Sequence, residues 1–264
     1  MVASNVRVPR LFSILNNADD EFWDKYLPMF PTHCRSRGTL VQIERILPLP
    51  KITRKALITY FYPHGSNSVL DSDIIQLILE DTPNKHCLAR TYLGRDHGAF
   101  PKEEFSLRNF PLYLSSMERL GLDVVGLAIS MGKAYAIMHW GAGVNGDDVE
   151  FVLGTSTARE RGHGGDAFQH RAVGLYLLDF GQCELVDLSE DPDVVYQAFK
   201  GAMVTGDNQL FIPHYQRSPK LFSAFGEAYL DAGQRIIVDK KLEKNFNMEE
   251  FMKEYEEYAE DFLF

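Results

Sequence analysis

Four carboxylates flank a polar, glycine-rich insert near the middle of the chain. They are Asp147, Asp148 and Glu150 in HWGAGVNGDDVEFVLG (139–154) and Asp179 in LYLLDFGQC (175–183). The apolar runs beside them, 149–153 and 173–178, have the pattern of two short strands. If these strands pair as a hairpin, Asp147 and Asp179 come to the same end of a small ribbon. The sequence therefore predicts an acidic cluster, which we expect to bind a cation because neighbouring carboxylates repel one another.

The cation could be a metal ion or a guanidinium group. A guanidinium is a planar, permanently charged fork that can bind carboxylates through two hydrogen bonds. Alternatively, each carboxylate could cap a turn or pair with Arg108 or Arg159. We expect no bound metal, since the cysteines are far apart and form no CxxC pair: Cys34, Cys87 and Cys183. His163 and His170 with Asp166 could bind a metal, but two solvated loop histidines are the simpler interpretation.

A long helix is expected to precede the acidic loop and to position it. Apolar residues at steps of three and four from Met117 to Met138 predict one helix over about 113–140, which ends beside His139. Further helices are predicted at 22–27, 52–62, 191–203 (with Asp191 as N-cap), 220–233 (ended by Gly233) and 247–264. Strands are predicted at 39–47 and 87–95, and 72–81 could be either. We interpret 105–113 as a loop docked by its aromatic residues, or alternatively as one that turns Arg108 or Asn109 toward a ligand.

Composition restricts the class of protein. The 264 residues are 45% hydrophobic, which suits one large domain or two small ones. We find no apolar run of membrane-spanning length and no signal peptide, so we expect a cytoplasmic protein. The net charge of −10 argues against a general nucleic-acid coat protein. Basic residues nevertheless gather in two places, Lys51, Arg54 and Lys55 in the first, and Arg159, Arg161 and Arg171 in the second.

The order of these features resembles the C-lobe of protein kinases. Asp147 follows His139 by eight residues, as the catalytic aspartate follows the histidine that ends the central helix of a kinase, and Asp179-Phe180-Gly181 resembles the metal-binding DFG motif. Val152 stands where a kinase has a metal-binding Asn, and no glycine-rich loop precedes the motifs. The resemblance implies an α+β, mainly helical single domain, 1–264. Within it, 51–264 would form a kinase-like C-lobe and 1–50 a remnant of a reduced or missing N-lobe.

Longer blocks resemble a fungal family of unknown function that is often labelled "zinc finger protein". They are IERILPLP, YLGR, FSLRNFPLY, the block from HW to DVEFVLG, and LLDFGQC. This chain has Asn145 where the family often has Asp and Gly181 where it often has Asn. Compact proteins similar to this family include arginine-containing cyclodipeptide synthases, which make cyclo(Arg-Xaa) diketopiperazines from aminoacyl-tRNAs in fungal natural-product biosynthesis. An aminoacyl-tRNA ester is already activated, so the reaction needs positioning and a base but no ATP and no cofactor.

The resemblance implies a role for each candidate residue. The catalytic set is Asp147, Asp179, Glu150 and His139. The substrate-binding set is Asp148, Arg108, Asn109 and Asn145. The set that contacts tRNA phosphates is Lys51, Arg54, Lys55, Arg159 and Arg161. The implied partners are Arg-tRNA and a second aminoacyl-tRNA, with no DNA and no membrane. Two alternatives stay open, a small-molecule phosphotransferase with a shrunken nucleotide lobe and a pseudokinase-like binding protein without chemistry.

Overall fold

The chain forms two compact units, Met1–Arg7 with Leu47–Phe264, and Val8–Ile46. The computed structural model describes residues 2, 4–63, 70–100, 104–161 and 167–262, and for 158–161 and 167–170 it describes the backbone alone. The predicted α+β class is confirmed. The smaller unit falls within residues 1–50, the segment that the kinase resemblance implies to be a remnant of the N-lobe.

The smaller unit contains a two-stranded antiparallel ribbon and one short helix. Strand β1 (Leu11–Leu15) pairs with β2 (Leu40–Ile43), and helix α1 (Asp20–Tyr26) lies between them in the chain. The side chain of Trp23 is buried, and its indole N–H donates to the carbonyl oxygen of Asn16 at 2.7 Å. The helical turns predicted at 22–27 and the strand predicted at 39–47 are confirmed in part, as α1 and β2.

A four-stranded sheet carries the acidic residues of the larger unit. Its strands are β3 (Ala89–Tyr92), β4 (Phe110–Tyr113), β5 (Glu150–Arg161) and β6 (Ala167–Leu178), in the order β4-β3-β5-β6. β4 is parallel to β3, and the other pairs are antiparallel. The predicted hairpin is confirmed, and its pairing continues through most of the insert because residues 154–161 also adopt strand geometry. The interpretation of 105–113 as a loop is wrong for its last four residues, which form β4.

The predicted helix over 113–140 is wrong as a single element. It divides into α4 (Leu114–Arg119), α5 (Val124–Ala136) and a π-helical segment, Ile137–Ala142. The break occurs at Gly121, whose φ of +68° is a left-handed conformation that favours glycine. Asp123 then caps α5, because its carboxylate accepts a hydrogen bond from the Gly126 amide.

The remaining helices enclose the core of the larger unit. They are α2 (Lys51–Phe61), α3 (Ser72–Glu80), α6 (Pro192–Val204), α7 (Asn208–Phe211), α8 (Pro219–Asp239) and α9 (Met248–Phe262). The helices predicted at 52–62, 191–203 and 247–264 are confirmed, and 72–81 proves to be helical. Among the described helices, none combines the length and the apolar character needed to cross a membrane.

Two glycines let the central helices approach closely. A Cβ at Gly132 in α5 would lie 2.2 Å from the carbonyl oxygen of Phe225 in α8, so a side chain there would force the two helices apart. A Cβ at Gly233 would lie 2.7 Å from the sulfur of Met248. The prediction that Gly233 ends a helix is wrong, because this glycine serves close packing inside α8.

We expect Asp123→Ala to lower the free energy of unfolding by about 1 kcal/mol, the usual cost of losing an N-cap. The Asp123 carboxylate accepts from the Gly126 amide at 2.9 Å, and alanine leaves that amide without its partner. Urea denaturation of both proteins measures the difference. Asp123→Asn is the matched control because asparagine retains the acceptor, and an equal loss in both variants would contradict the capping role.

Candidate functional site

The four predicted carboxylates come together at one end of the hairpin. Asp147 and Asp148 lie in the loop between the π-helical segment and β5, and Glu150 is the first residue of β5. Glu150 pairs with Leu178, the last residue of β6, so Asp179 comes directly after the residue that faces Glu150. We call these four residues the acidic cluster.

The Cys183 thiol lies within the electrostatic reach of the cluster. Burial raises the pKa of Cys183 to about 11, and Asp147, Asp179 and Asp148 contribute to the increase. Its sulfur also donates a hydrogen bond to the carbonyl oxygen of Asp147 at 3.4 Å. Cys183 is therefore a protonated thiol near neutral pH and a poor nucleophile.

Two carboxylates of the cluster are each held by one polar side chain. The Thr205 hydroxyl donates to Asp147 Oδ1 at 3.0 Å, and the Gln182 amide donates to Asp148 Oδ2 at 2.6 Å. Asp148 has a φ of +55°, a region that non-glycine residues seldom occupy. Strain of this kind persists only where the surrounding structure enforces it, and it is frequent at functional sites.

The third carboxylate, Glu150, binds an arginine of the protein itself. Arg90 Nε donates to Glu150 Oε2 at 3.1 Å, and Nη2 donates to Oε1, so the guanidinium occupies both oxygens. Arg90 Nη1 also lies 3.6 Å from Asp207 Oδ2 and donates to the Tyr92 hydroxyl at 3.3 Å. Burial raises the pKa of Glu150, and the positive charge of Arg90 opposes that increase. Because Arg90 occupies both carboxylate oxygens, Glu150 is not free to act as a catalytic group. We therefore correct its expected catalytic role to a structural one within the cluster.

Asp179 is the free carboxylate of the cluster. Its carboxylate is exposed, and in the part of the chain that the structure describes it makes no hydrogen bond and no ion pair. Its φ of +64° is left-handed, like that of Asp148. An exposed and unpaired carboxylate, held in a strained conformation beside the three other acids of the cluster, is available to a ligand.

His139 is a positioning residue. Its side chain is fully buried and stacks on Phe199 at 4.3 Å between ring centroids. The hydrogen-bond partners assign the tautomer: Nε2–H donates to the Asn145 carbonyl oxygen at 3.0 Å, and Nδ1 accepts from the Tyr229 hydroxyl at 2.8 Å. Burial lowers the pKa of His139 to about 3, which keeps the ring neutral. The catalytic role expected for His139 is therefore corrected, since neither nitrogen is open to a substrate.

Asn145 connects the two loops that carry the acids. Its Oδ1 accepts from the Asp147 amide at 3.2 Å and from the Glu184 amide at 2.9 Å. The side-chain oxygen is thus used by the backbone on both sides of the cluster. We replace its expected role in substrate binding by a role in orienting Asp147.

Arg108 and Asn109 do not join the cluster. They precede β4, whose first residue, Phe110, pairs with Ala89 at the start of β3. Glu150 lies at the other end of β3, because β5 runs antiparallel to β3 with Ala89 opposite Leu153 and Arg90 opposite Val152. Both residues are exposed at the opposite end of the strands. Neither residue therefore belongs to the cluster, and their contact with a substrate stays a prediction.

The basic residues predicted to contact tRNA lie on two elements, α2 and β5. Lys51 and Lys55 are exposed in the first turns of α2, while Arg54 is half-buried and donates to the Asn84 carbonyl oxygen at 3.0 Å. Arg159 and Arg161 lie on β5, nine and eleven residues beyond Glu150. At roughly 3.3 Å per residue, that places them about 30–36 Å along the hairpin. Their side chains are outside the described residues, as are His163, Asp166 and the side chain of His170.

In the described ranges, no group of three or more histidine, cysteine or acidic side chains is arranged to hold a metal ion.

No protein-family model, curated protein or solved structure matches this chain. The chemistry of the site therefore has to be inferred from its own residues.

The sequence analysis missed four residues of the site. They are Arg90, Gln182, Thr205 and Asp207, and each contacts a member of the cluster or its arginine. Gln182 follows the DFG motif directly, and the polar run 205–208 between two helical patterns is the one signal for Thr205 and Asp207. Nothing in the predicted strand 87–95 marks Arg90.

Proposed function

We propose that this protein is an arginine-using, tRNA-dependent cyclodipeptide synthase that forms cyclo(Arg-Xaa) diketopiperazines. One observation carries the proposal, the free and exposed Asp179 carboxylate beside acids that each have one fixed partner. The fold we propose for 51–264 is a kinase-like C-lobe that has lost its nucleotide-binding lobe.

A guanidinium fits the charges of this site. Asp148 uses Oδ2 for Gln182, and Asp179 has no partner among the described residues, so both keep oxygens for a cation. The protein already binds a guanidinium in this region, since Arg90 makes a bidentate pair with Glu150. A substrate arginine would bind Asp148 and Asp179 in the same way, through charge-assisted hydrogen bonds from its planar guanidinium.

Peptide-bond formation from an aminoacyl-tRNA needs little more than a base and an orienting site. Asp147 is fixed by its backbone contact to Asn145, which makes it the group we assign as general base. Lys51, Lys55, Arg159 and Arg161 are the residues we assign to tRNA phosphates. Because charged tRNAs occur in the cytoplasm, we expect the reaction to take place there, with no cofactor.

Expression in a microbial host followed by mass spectrometry of the extract tests this function. We expect cyclic dipeptides that contain arginine, and the same products from purified protein with pre-charged Arg-tRNA and a second aminoacyl-tRNA. A polyamine replaces Mg²⁺ as tRNA counterion in a parallel reaction, so that a metal requirement of the enzyme is separated from that of the tRNA. Absence of any such product in both settings would reject the proposal.

A phosphotransferase is the second candidate, favoured by the order of His139, Asp147 and Asp179-Phe180-Gly181. Val152 stands where a kinase-like enzyme needs its metal-binding Asn. A true phosphotransferase would be stabilised by ATP with Mg²⁺ through linkage between binding and folding. A thermal-shift measurement with this pair decides between the candidates, and a clear rise in Tm would favour phosphotransfer.

A further inference from the structure

We propose that Thr205 is the nucleophile that accepts the arginyl group from Arg-tRNA as an ester, with Asp147 as its base. The proposal rests on the function proposed above and adds a catalytic residue to it. The Thr205 hydroxyl is exposed and donates to Asp147 Oδ1 at 3.0 Å, within the range expected of a nucleophile and its base. The Ala202 carbonyl oxygen, at 3.2 Å, is its second acceptor.

The backbone presents this hydroxyl to the cluster. Thr205 ends α6 in an extended conformation, with φ −91° and ψ 161°, and Gly206 follows with a φ of +53°. The chain therefore turns directly after Thr205, which leaves the hydroxyl exposed at the end of α6.

Asn208 fixes the hydroxyl and the carboxylate relative to each other. Its fully buried side-chain amide donates to the Gly146 carbonyl oxygen and to the Ala202 carbonyl oxygen, both at 2.8 Å. One bond holds the loop of Asp147, and the other holds the end of α6. Asn208 Oδ1 is buried and, in the described part of the chain, accepts no hydrogen bond. A buried acceptor left in this state favours the binding of a small donor such as a water molecule.

The other candidate nucleophiles near the sequence motifs are less suitable. Cys183 is protonated because burial and Asp147 raise its pKa to about 11. The Ser106 hydroxyl donates to Asn84 Oδ1 at 3.3 Å and lies before β4, at the far edge of the sheet. Thr205 is the described residue that combines an exposed hydroxyl with a carboxylate of the cluster.

The proposed step conserves atoms and charge. Thr205 Oγ1 attacks the ester carbonyl carbon while Asp147 takes the hydroxyl proton. The bond to the ribose oxygen of the tRNA then breaks, and that oxygen receives the proton from Asp147. Arginine is left on Thr205 as an ester.

The cyclic product follows from the same ester in two further transfers. The α-amine of the bound arginine attacks the ester of the second aminoacyl-tRNA, which forms a peptide bond and releases that tRNA. The α-amine of the second residue then attacks the threonyl ester. The ring closes and the Thr205 hydroxyl regains a proton, with no oxidation or reduction in any step.

The test uses the full chain with Arg-tRNA alone, acid quenching, intact-mass spectrometry and peptide mapping. We expect an arginyl adduct on the peptide that contains Thr205, sensitive to hydroxylamine as an ester should be. Thr205→Val, which keeps the shape but removes the hydroxyl, should lose the adduct and lower product formation at least a hundredfold. Thr205→Ser should form the adduct on serine. Ser223→Ala is the matched control, because Ser223 also donates to a carboxylate, Glu227, at 2.8 Å but lies on α8.

The outcomes separate this proposal from the function on which it rests. Cyclic dipeptide from both wild type and Thr205→Val, without an adduct, would overturn the nucleophile and leave the synthase in place. An adduct on Thr205 without cyclic dipeptide would support the nucleophile and reject the synthase. Neither adduct nor product would reject both. An adduct that persists in Thr205→Val would assign the nucleophile to another residue.

Discussion

Asp179→Asn is expected to lower the rate of cyclic dipeptide formation by about ten- to a hundredfold. The substitution keeps the shape of the side chain and removes its charge, and a hydrogen bond to a charged group contributes roughly 1.5–3 kcal/mol. Asp179 has no internal partner in the described part of the chain, so the loss reports on the ligand. The measurement is the steady-state rate with pre-charged tRNAs. Asp261→Asn, an exposed change on α9, is the matched control and should leave the rate unchanged.

A double-substitution cycle shows whether Asp179 recognises the guanidinium itself. Charging the arginine tRNA with citrulline replaces the guanidinium by a neutral group of similar shape. If Asp179 binds this group, citrulline and Asp179→Asn should each cause a loss, and the two losses should not add. Additive losses would place Asp179 elsewhere in the reaction and reject the guanidinium contact.

Acidification is expected to destabilise the protein through His139. Burial lowers its folded-state pKa from the ordinary 6.5 to about 3. Between pH 6.5 and 3, the His139 ring binds a proton in the unfolded chain but not in the folded chain. The contribution of the neutral ring to the free energy of unfolding is therefore complete above pH 6.5 and is lost as the pH falls toward 3. The expected slope approaches about 1.4 kcal/mol per pH unit. Urea denaturation at a series of pH values measures it.

The control for this prediction is His139→Asn, which removes the titrating ring. The variant should be less stable at neutral pH, because the ring's hydrogen bonds to Asn145 and Tyr229 are lost. Its stability should also depend less steeply on pH between 6.5 and 3. Burial and Arg217 also lower the pKa of His214, so His214→Asn should remove a smaller part of the slope. An unchanged slope in His139→Asn would contradict the assignment.

The local parts of the site could be predicted from the sequence because they depend on neighbours in the chain. The short apolar runs at 149–153 and 173–178 predicted the hairpin, and the acids at the strand ends then had to meet. The long helix was predicted wrongly because the apolar period of three and four continues across Gly121, where the left-handed backbone breaks the helix.

The tertiary parts of the site could not be predicted in this way. Thr205 is 58 residues from Asp147, and only the packing of α6 and α7 brings the two together. Arg90 reaches Glu150 from a strand 60 residues earlier. The role of His139 was misjudged for a related reason, because a histidine beside a motif gives no sign in the sequence of whether its ring is buried.

The close contact at Gly132 has a consequence for long-range coupling in the protein. The π-helical segment that continues α5 carries His139, and α8 carries Tyr229, so the separation of the two helices sets the length of the bond between these side chains. A methyl group at 132 would collide with the Phe225 carbonyl oxygen and shift one helix against the other. The displacement would pass through His139 to Asn145 and then to Asp147. A residue without a side chain thus constrains the orientation of a carboxylate that it never touches.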